Sequence, residues 1–432
     1  MIKRLFLNIF IPALLLIVGS AAVVAVEVRT VDIPMSDGLK LKADVYLPDG
    51  DGPFPVVLNR TPYNRKGVSG EAERLNPRGI AFVAVDVRGR FESEGDFVPF
   101  VNEGRDGVDT MKWILAQPWC NGKIAGNGGS YVGYTQWALT SEPVPGLAAI
   151  APLFTTANIY EIPYRGGAFN LATALGWASA MHNRNMLDSA AYLMSTRAQK
   201  VLPLIKGDNK TGNQLDFYDD WLRHPDMDEF WERMNHGKHF DQKNVPALMA
   251  AGWFDLFLGS QLQDFVRMTT EGPPETAGKS RIIIGPWDHS GSLVPAMIKP
   301  PIIDLPDEAK KLSNFQHFLD EWYDYWLLGG DRPPPDLPPV RLFVMGSNLW
   351  MDFPSWPPPG MKPTPWYIHS AGSAASPEDG AYLSDTPPGD EPPDTYDYRP
   401  RKPTPSRGGA ILGTDMGPYD YSKLEEERPD IL

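Results

Sequence analysis

Short apolar runs recur along the chain and are separated by longer segments with helical spacing. Residues 39–47 alternate apolar and polar side chains, which is typical of a strand with one buried face. Further short apolar runs lie at residues 55–59, 80–85, 123–127, 146–152, 245–251 and 281–284. Between two of these runs, Val108, Met111 and Leu115 share one face of a predicted helix. Strands that alternate with helices predict a mostly parallel sheet covered on both faces, so the expected fold class is α/β.

Residues 156–244 interrupt this alternation. They are rich in aromatic side chains with helical spacing, contain no convincing strand, and lie between two predicted strands of the sheet. An insertion of this kind usually covers a binding site. We therefore predict a helical cap at residues 156–244, inserted between a first part of the α/β domain at residues 27–155 and a second part at residues 245–335.

The C-terminal part of the chain differs in composition. A last amphipathic helix is marked by Phe318, Leu319 and Trp322. After residue 330 the chain is crowded with proline, and the strand-like runs are residues 340–345 and 366–369. This pattern predicts the beginning of an all-β domain at residues 336–432, and the chain ends before such a domain would be complete.

The N-terminal 26 residues form a segment of their own. Lys3 and Arg4 precede a nearly uninterrupted apolar run, which is typical of an export signal. The run is also long enough to span a bilayer, so a cleaved signal peptide and an uncleaved membrane anchor both stay open. Either interpretation predicts an exported protein, periplasmic or secreted, and membrane contact is expected through this segment alone.

Composition and charge narrow the classes of partner. The chain of 432 residues has a net charge of −14 and no cluster of lysine and arginine of the kind that binds phosphate backbones, so nucleic acid is not expected. Cys120 is the single cysteine, which excludes an intramolecular disulfide and a zinc site built on several thiolates. The seven histidines include no HExxH pair, and we expect neither a metal nor a cofactor.

A glycine-rich turn follows one predicted strand and precedes a predicted helix, and its residues 128–133 read Gly-Gly-Ser-Tyr-Val-Gly. A serine hydroxyl becomes a good nucleophile when a base takes its proton and a carboxylate orients that base. The α/β-hydrolases place such a serine on a strand-to-helix turn of this kind. Ser130 is therefore a candidate nucleophile, and a purely structural turn is the alternative. Val132 stands where the common pattern has glycine, and Gly133 follows it.

Candidate partners for Ser130 come later in the chain. Asp255 and His289 each follow a predicted strand, and the order serine, aspartate, histidine is the one that α/β-hydrolases use. Because the carboxyl ends of parallel strands meet at one edge of a sheet, we expect the three side chains to lie together. The alternative for Asp255 is a solvated loop carboxylate, and for His289 a surface histidine.

An oxyanion that forms during acyl transfer needs hydrogen-bond donors. The backbone N–H of Tyr131 begins a predicted helix, where it points outward and is favoured by the helix dipole. A second donor is expected from the loop after an early strand. Pro62 has no N–H to offer there, whereas Tyr63 carries a phenol that stays protonated near neutral pH. A core aromatic is the alternative for Tyr63.

Five motifs follow one another along the chain: RTPY at residues 60–63, DVRGRFESEG at 86–95, GGSYVG at 128–133, GWFD at 252–255 and GPWDH at 285–289. Together they resemble the cocaine-esterase and X-Pro dipeptidyl-peptidase superfamily of serine hydrolases, from about residue 30 to the end. The resemblance implies an α/β-hydrolase fold with an inserted helical cap and a C-terminal jelly roll. This chain would hold only the first part of that jelly roll, either as a fragment or with a reduced third domain.

The resemblance also implies roles for single residues. Ser130 would be the nucleophile, His289 the base and Asp255 the acid, with Tyr63 and the amide of Tyr131 forming the oxyanion hole.

The acyl pocket would include Trp177 and Phe257, with helix packing as the alternative for Trp177. We interpret the segment 86–95 as a structural loop near the active site.

The sequence thus predicts a hydrolase of small-molecule esters, with acyl amides as further substrates. An X-Pro dipeptidyl-peptidase of the same fold is the first alternative, and an inactive truncated binding or surface module is the second. A peptidase must hold a free ammonium with carboxylates, but Leu256, Phe257 and Leu258 follow Asp255, which favours the esterase. Glu161 or another acid of the cap stays open as an amine ligand. The oligomeric state is not predicted.

Overall fold

The computed structural model describes residues 28–142, 145–291, 305–329, 335–372 and 381–395, with a few further residues between 399 and 419. The predicted export signal or anchor at residues 1–26 lies outside the described residues, as does much of the chain after residue 395. None of the helices in the described ranges is long and apolar enough to cross a membrane.

Strands and helices alternate along most of the described chain. The strands are β1 (Val28–Pro34), β2 (Lys40–Tyr46), β3 (Phe54–Thr61), β4 (Ala81–Asp86), β5 (Cys120–Gly126), β6 (Gly128–Gly129), β7 (Leu147–Ala149), β8 (Pro152–Leu153), β9 (Leu248–Phe254), β10 (Arg281–Asp288), β11 (Val340–Val344), β12 (Leu349–Phe353), β13 (Tyr367–His369) and β14 (Tyr382–Ser384). The α-helices are α1 (Gly70–Leu75), α2 (Glu103–Leu115), α3 (Tyr131–Leu139), α4 (Leu171–Ala180), α5 (Ser189–Ala198), α6 (Asp216–Arg223), α7 (Glu229–Glu232), α8 (Leu258–Thr270), α9 (Pro274–Ala277) and α10 (Gln316–Tyr323). Each apolar run that predicts a strand contains one, with bounds that shift by a few residues.

The sheet has two parts with the strand orders β1-β2-β4-β3-β5-β7 and β12-β11-β10-β9-β8-β6. The parts are continuous because β5 leads into β6 across Asn127, and β7 leads into β8 across Ile150 and Ala151. Ile150 also forms a parallel bridge to Ala247. The strands between β4 and β11 pair in parallel, whereas β1, β2 and β12 pair antiparallel at the edges. The predicted α/β class is confirmed.

Helices cover both faces of the sheet, which explains why its central strands are apolar without alternation. Strand β4 is buried along its whole length. Val83 shares a core cluster with Met111 and Ile114 of α2. Phe82, the preceding residue of the strand, points to the opposite face and shares a cluster with Trp322 of α10. Each such apolar side chain contributes about 1.5–3 kcal/mol by leaving water.

The segment between β8 and β9 contains α4 to α7 together with short 3₁₀-helices, and this fully described segment holds no strand. Its interior is aromatic: Tyr164, Trp221 and Trp231 are buried in one cluster. That cluster also includes Tyr131 at the start of α3, so the segment packs directly over the carboxyl ends of the central strands. The predicted domain boundaries at residues 27–155, 156–244 and 245–335 stay predictions.

The assignment of residues 336–432 to a separate β domain needs correction at its beginning. Strand β11 pairs in parallel with β10, with Ile282 opposite Val340 and Ile284 opposite Leu342. Strand β12 then pairs antiparallel with β11, so both strands extend the sheet of the α/β domain. The reason is that Val340 and Leu342 are buried in the core that covers β10, whose edge would otherwise be unpaired. Strands β13 and β14 form a separate antiparallel pair.

Candidate active site

The turn between β6 and α3 has the geometry of a nucleophile elbow. Ser130 has φ 57° and ψ −128°, a strained conformation for a residue with a side chain. Gly128 has φ 130°, and a Cβ there would lie 2.3 Å from Cγ1 of Val132. A Cβ on Gly133 would lie 2.5 Å from Cγ2 of Thr155. Glycine is therefore needed at residue 133, where α3 crosses Thr155, and Val132 is accommodated because residue 128 has no side chain.

Ser130, His289 and Asp255 form a chain of hydrogen bonds. Nε2 of His289 lies 2.9 Å from Oγ of Ser130, and Nδ1 lies 2.8 Å from Oδ2 of Asp255. With its hydrogen on Nδ1, the imidazole donates to the carboxylate and can accept the serine proton at Nε2. The structure therefore brings together residues that are distant along the chain: His289 is 34 positions from Asp255 and 159 positions from Ser130.

Asp255 and His289 are held at the ends of β9 and β10. Asp255 is 1% exposed, and its Oδ1 accepts a hydrogen bond of 2.6 Å from the backbone N–H of Phe257. The imidazole ring stacks on Phe257 with 5.3 Å between centroids and meets Phe154 edge-on at 6.5 Å. The two aromatic rings fix the orientation of His289 without offering it a competing hydrogen bond.

Tyr63 and the backbone amide of Tyr131 flank the serine. The Tyr63 oxygen accepts a hydrogen bond from Nε1 of Trp177 at 3.2 Å, and Tyr63 lines the same cavity as Ser130. Burial raises the pKa of Tyr63, so the phenol keeps its proton at neutral pH. The N–H of Tyr131 is the first of α3 and has no acceptor within the helix. Both groups can donate to an oxygen that lies next to Ser130.

A buried ion pair supports the ring of Tyr131. Nη2 of Arg60 lies 2.6 Å from Oε2 of Glu103, and both side chains are almost fully buried. The Tyr131 hydroxyl donates to Oε1 of Glu103 at 2.8 Å and accepts from the backbone N–H of Phe100 at 2.9 Å. Burial raises the pKa of Glu103, and the charge of Arg60 opposes this rise. No local pattern in the sequence points to this network, because its members come from three separate elements.

The cavity at Ser130 has an inner and an outer chamber. The inner chamber, of about 60 Å³, is lined mainly by aromatic and aliphatic side chains. They include Tyr63, Phe100, Trp177, Trp221, Phe257 and Leu412. The outer chamber, of about 450 Å³, is more open and is lined in part by Leu187 and Leu193 of the cap. Ser130 and His289 belong to both chambers, so a carbonyl carbon held at the serine would place one side of a substrate in each.

The predicted pocket residues Trp177 and Phe257 both line the inner chamber. Phe100, Trp221 and Leu412 also line the chamber, which they reach from three distant segments, and no sequence motif marks them. No carboxylate is found among the described residues that line this chamber, and Glu161 is not one of them. In the described ranges, no group of three or more histidine, cysteine or acidic side chains is arranged to hold a metal ion.

Known proteins share sequence and fold with this chain. The family description X-Pro dipeptidyl-peptidase (S15 family) matches residues 37–291. Cocaine esterase from Rhodococcus sp. (strain MB1 Bresler) is 34% identical over 427 residues, which cover 93% of this chain and 72% of the esterase. An α-amino acid ester hydrolase matches in structure with a TM-score of 0.66 and 24% identity, over 84% of this chain and 63% of that one. A CocE/NonD family hydrolase from Staphylococcus aureus matches with a TM-score of 0.59 and 20% identity, over 78% of this chain and 58% of that one.

The two solved structures confirm the predicted α/β-hydrolase fold, and all three relatives are longer than the part of them that this chain matches. The sequence match to the esterase extends over nearly the whole chain, and the family match covers more than half of it. This chain is a hydrolase and belongs to the X-Pro dipeptidyl-peptidase (S15) family.

Proposed function

We propose that this chain is a serine hydrolase that cleaves carboxylic esters through an acyl-enzyme formed on Ser130. The observation that carries the proposal is the hydrogen-bonded chain from Ser130 through His289 to Asp255. Its serine end opens into an apolar chamber, and its aspartate end is buried. A relative named cocaine esterase, 34% identical, supports ester cleavage as the reaction.

In the proposed reaction, Nε2 of His289 takes the hydroxyl proton of Ser130 while Oγ bonds to the ester carbonyl carbon. Asp255 accepts a hydrogen bond from Nδ1 and stabilises the imidazolium that forms. The carbonyl oxygen becomes an oxyanion that accepts hydrogen bonds from the Tyr63 phenol and the Tyr131 amide. His289 then gives its proton to the leaving alkoxide as the C–O bond breaks. A water molecule repeats these steps on the acyl-enzyme, which releases the acid and restores the serine.

The inner chamber favours an uncharged, apolar acyl group. Its walls include Phe100, Trp177 and Trp221, and its described lining holds neither a carboxylate nor a lysine or arginine. An ammonium group that entered this chamber would lose its hydration and would meet no carboxylate in the described lining, which is unfavourable. The more open outer chamber would take the alcohol. The substrate class is thus a small-molecule ester with an apolar acid part, and acyl amides are further candidates.

An X-Pro dipeptidyl-peptidase is the second candidate, and the family description supports it. Its substrates carry an N-terminal ammonium, which carboxylates at hydrogen-bond distance would have to bind. The residues after Asp255 are Leu256, Phe257 and Leu258, and all three are apolar. A comparison of kcat/KM for a p-nitrophenyl butyrate ester and for an Ala-Pro p-nitroanilide separates the two functions. We expect preference for the ester, and preference for the anilide would reverse the assignment.

Labelling with a fluorophosphonate probe tests the nucleophile directly. We expect the wild-type chain to be labelled at Ser130 and Ser130→Ala to lose both the label and ester hydrolysis. Ser189→Ala is the matched control, because Ser189 lines the outer chamber but lies outside the hydrogen-bonded chain. Full hydrolysis by Ser130→Ala would contradict the proposal. A folded wild-type chain that takes no label would support the inactive binding or surface module instead.

The proposal includes export through residues 1–26, either as a cleaved signal peptide or as an anchor. The positive start and the long apolar run support it. Expression with and without this segment, followed by fractionation of the cells, tests it. Equal distribution of the two forms would contradict export, and the mass of the mature N-terminus distinguishes cleavage from anchoring.

A further inference from the structure

Arg90 differs from the buried arginines around it in what it binds. Arg65 forms an ion pair of 2.5 Å with Asp86, and Arg88 forms one of 2.6 Å with Asp106. The side chain of Arg90 is fully buried, yet within the described chain it forms no ion pair with a carboxylate. Burial lowers its pKa to about 10, so it still carries a full charge at neutral pH. A buried charge without an ion-pair partner is unfavourable unless hydrogen bonds stabilise it, so the hydrogen-bond partners of Arg90 are informative.

The hydrogen bonds of Arg90 go to backbone carbonyl oxygens in two separate segments. Nε donates to Pro62 at 2.9 Å, in the loop after β3. Nη1 donates to Met181 at 3.0 Å and to Asn183 at 2.6 Å. Nη2 donates to Met186 at 3.0 Å. The last three residues all belong to the connection between α4 and α5 of the cap.

These two segments carry the two partners of one hydrogen bond at the active site. Pro62 immediately precedes Tyr63, and Met181 lies one helical turn after Trp177 at the end of α4. Nε1 of Trp177 donates to the Tyr63 oxygen at 3.2 Å. The guanidinium of Arg90 therefore holds the loop of the phenol and the helix of the indole against each other.

We propose that Arg90 is a positioning residue, which joins the Tyr63 loop to the cap in the arrangement that lets the phenol reach the oxyanion. The inference rests on the proposed function, because it concerns the oxyanion of that reaction. The charge of Arg90 interacts with Tyr63, and its guanidinium also packs over the ring of Phe97, 5.2 Å from the centroid.

Arginine is suited to this role and lysine is not. The guanidinium is planar and presents five N–H donors in a rigid fork, so it can bind carbonyl groups of two segments at the same time. The ammonium of lysine is a single point at the end of a flexible chain. Arg90→Lys would keep the charge but could not hold both segments, whereas Arg90→Met removes the charge and every donor while keeping much of the length.

Arg184 offers a matched control, because it ties the same cap connection to the loop that carries Arg90. It donates to the carbonyl of Phe91 at 3.2 Å and of Gly95 at 3.0 Å, and its own carbonyl accepts from the N–H of Phe91 at 2.9 Å. None of its hydrogen bonds within the described chain reaches the Tyr63 loop. Arg184→Met therefore loosens the cap alone, whereas Arg90→Met loosens both the cap and the Tyr63 loop.

A double-mutant cycle tests whether Arg90 acts through Tyr63. Steady-state hydrolysis of p-nitrophenyl butyrate is measured for Arg90→Met, Arg90→Lys and Arg184→Met, each alone and combined with Tyr63→Phe. We expect Arg90→Met to lower kcat about 10- to 100-fold with KM changed less than about threefold, because small displacements of a catalytic donor have effects of this size. Arg90→Lys should fall between it and the wild type, and Arg184→Met should change kcat by less than about threefold.

In the Tyr63→Phe background, the same Arg90→Met substitution should lower kcat by less than about threefold, because its target is already absent. Independent effects that multiply in the double variant would overturn the proposal. An Arg184→Met variant as impaired as Arg90→Met would also overturn it, because the cap alone would then account for the loss.

Hydrogen exchange of the intact chain gives a result that does not depend on activity. Arg90→Met should speed amide exchange in both residues 61–65 and residues 181–187, and Arg184→Met in residues 181–187 alone. Unchanged exchange at residues 61–65 in Arg90→Met would overturn the proposed link. If the wild type hydrolyses no ester but the exchange pattern is as expected, the proposed function fails and the link stands. Where Arg90→Met does not fold, Arg90→Lys carries the same comparisons.

Discussion

The substitution Tyr63→Phe isolates the phenol donor of the proposed oxyanion hole, because it removes one oxygen atom and keeps the aromatic ring. The Tyr63 oxygen accepts a hydrogen bond from Trp177 at 3.2 Å, so its own hydrogen is available to the side of Ser130. Burial raises the pKa of the phenol above its ordinary value, and the donor is therefore present throughout the neutral range. The variant should lose this donor at every pH at which the enzyme works.

The expected loss follows from what remains in the site. Removal of one oxyanion donor typically lowers kcat by about 10²- to 10³-fold, or about 2.7–4 kcal/mol. We expect about 3 kcal/mol here, because the amide of Tyr131 stays in place as a second donor. The indole N–H of Trp177 also loses its acceptor, which lowers the free energy of unfolding by about 1–3 kcal/mol. That second effect changes the folded fraction and leaves the rate of the folded enzyme unaffected.

The assay is hydrolysis of p-nitrophenyl butyrate by wild type and Tyr63→Phe between pH 6 and pH 9, with urea unfolding measured in parallel. The ratio of the two kcat values should be constant across this range, because the phenol does not titrate within it. Tyr160→Phe serves as the control: it also removes one phenol oxygen, but that hydroxyl donates to the carbonyl of Pro225 and lines neither chamber, so kcat should fall far less. A loss of kcat/KM below about threefold in folded Tyr63→Phe would refute the role of Tyr63.

Three further predictions concern other parts of the structure. Asp255→Asn should lower the kcat of ester hydrolysis about 10⁴-fold, because an amide favours the wrong tautomer of His289. A kcat near that of the wild type would exclude the proposed role of Asp255 as the residue that orients His289. Gly133→Ala should lower the free energy of unfolding by about 1–3 kcal/mol, because the added Cβ meets both Cγ2 and Cβ of Thr155. Gly259→Ala in α8, where nothing lies within 4 Å of the added Cβ, is the control and should not lower it; equal losses in urea unfolding would contradict the close contact as the cause. Burial raises the pKa of Asp264 to about 7, whereas an unfolded aspartate titrates at about 3.9, so the contribution of Asp264 to stability should fall as pH rises from about 4 to about 7. The stability of Asp264→Asn relative to the wild type should therefore rise across this pH range, and a difference that does not change with pH in urea unfolding would contradict the assignment.

Much of the fold is predictable from sequence because its signals are local. The central strands are continuous apolar runs, since a parallel sheet is buried on both faces, and helix α2 shows its buried face at the expected spacing. The sheet to which β11 belongs cannot be read from its local sequence. Its run of apolar residues would fit a strand of any sheet, and the pairing with β10 decides that it belongs to the sheet of the α/β domain. The two-residue strands β6 and β8 are likewise too short to leave a pattern.

Some residues of the candidate site are likewise predictable from sequence, and others are not. Ser130, Asp255 and His289 each follow a recognisable strand, and the topology of such a sheet brings strand ends together. Phe100 and Trp221 line the inner chamber but are indistinguishable by sequence from any buried aromatic residue. Their position depends on how the cap segment packs over the sheet, which no single stretch of sequence encodes.

Buried charged residues lie behind each side of the proposed oxyanion hole. One side has an ion pair, and the other has a single arginine. On the side of Tyr131, Arg60 and Glu103 compensate each other, so this pair orders the start of α3 without adding a field at the serine. On the side of Tyr63, Arg90 forms no ion pair with a carboxylate among the described residues and is held by backbone carbonyl oxygens, including those of Pro62 and Met181. The transition state differs from the bound ester by the negative charge that forms on its carbonyl oxygen. The proposed role of Arg90 is therefore to hold the Tyr63 phenol where it donates more strongly to this oxyanion than to the ester carbonyl, which is the requirement for a rate effect.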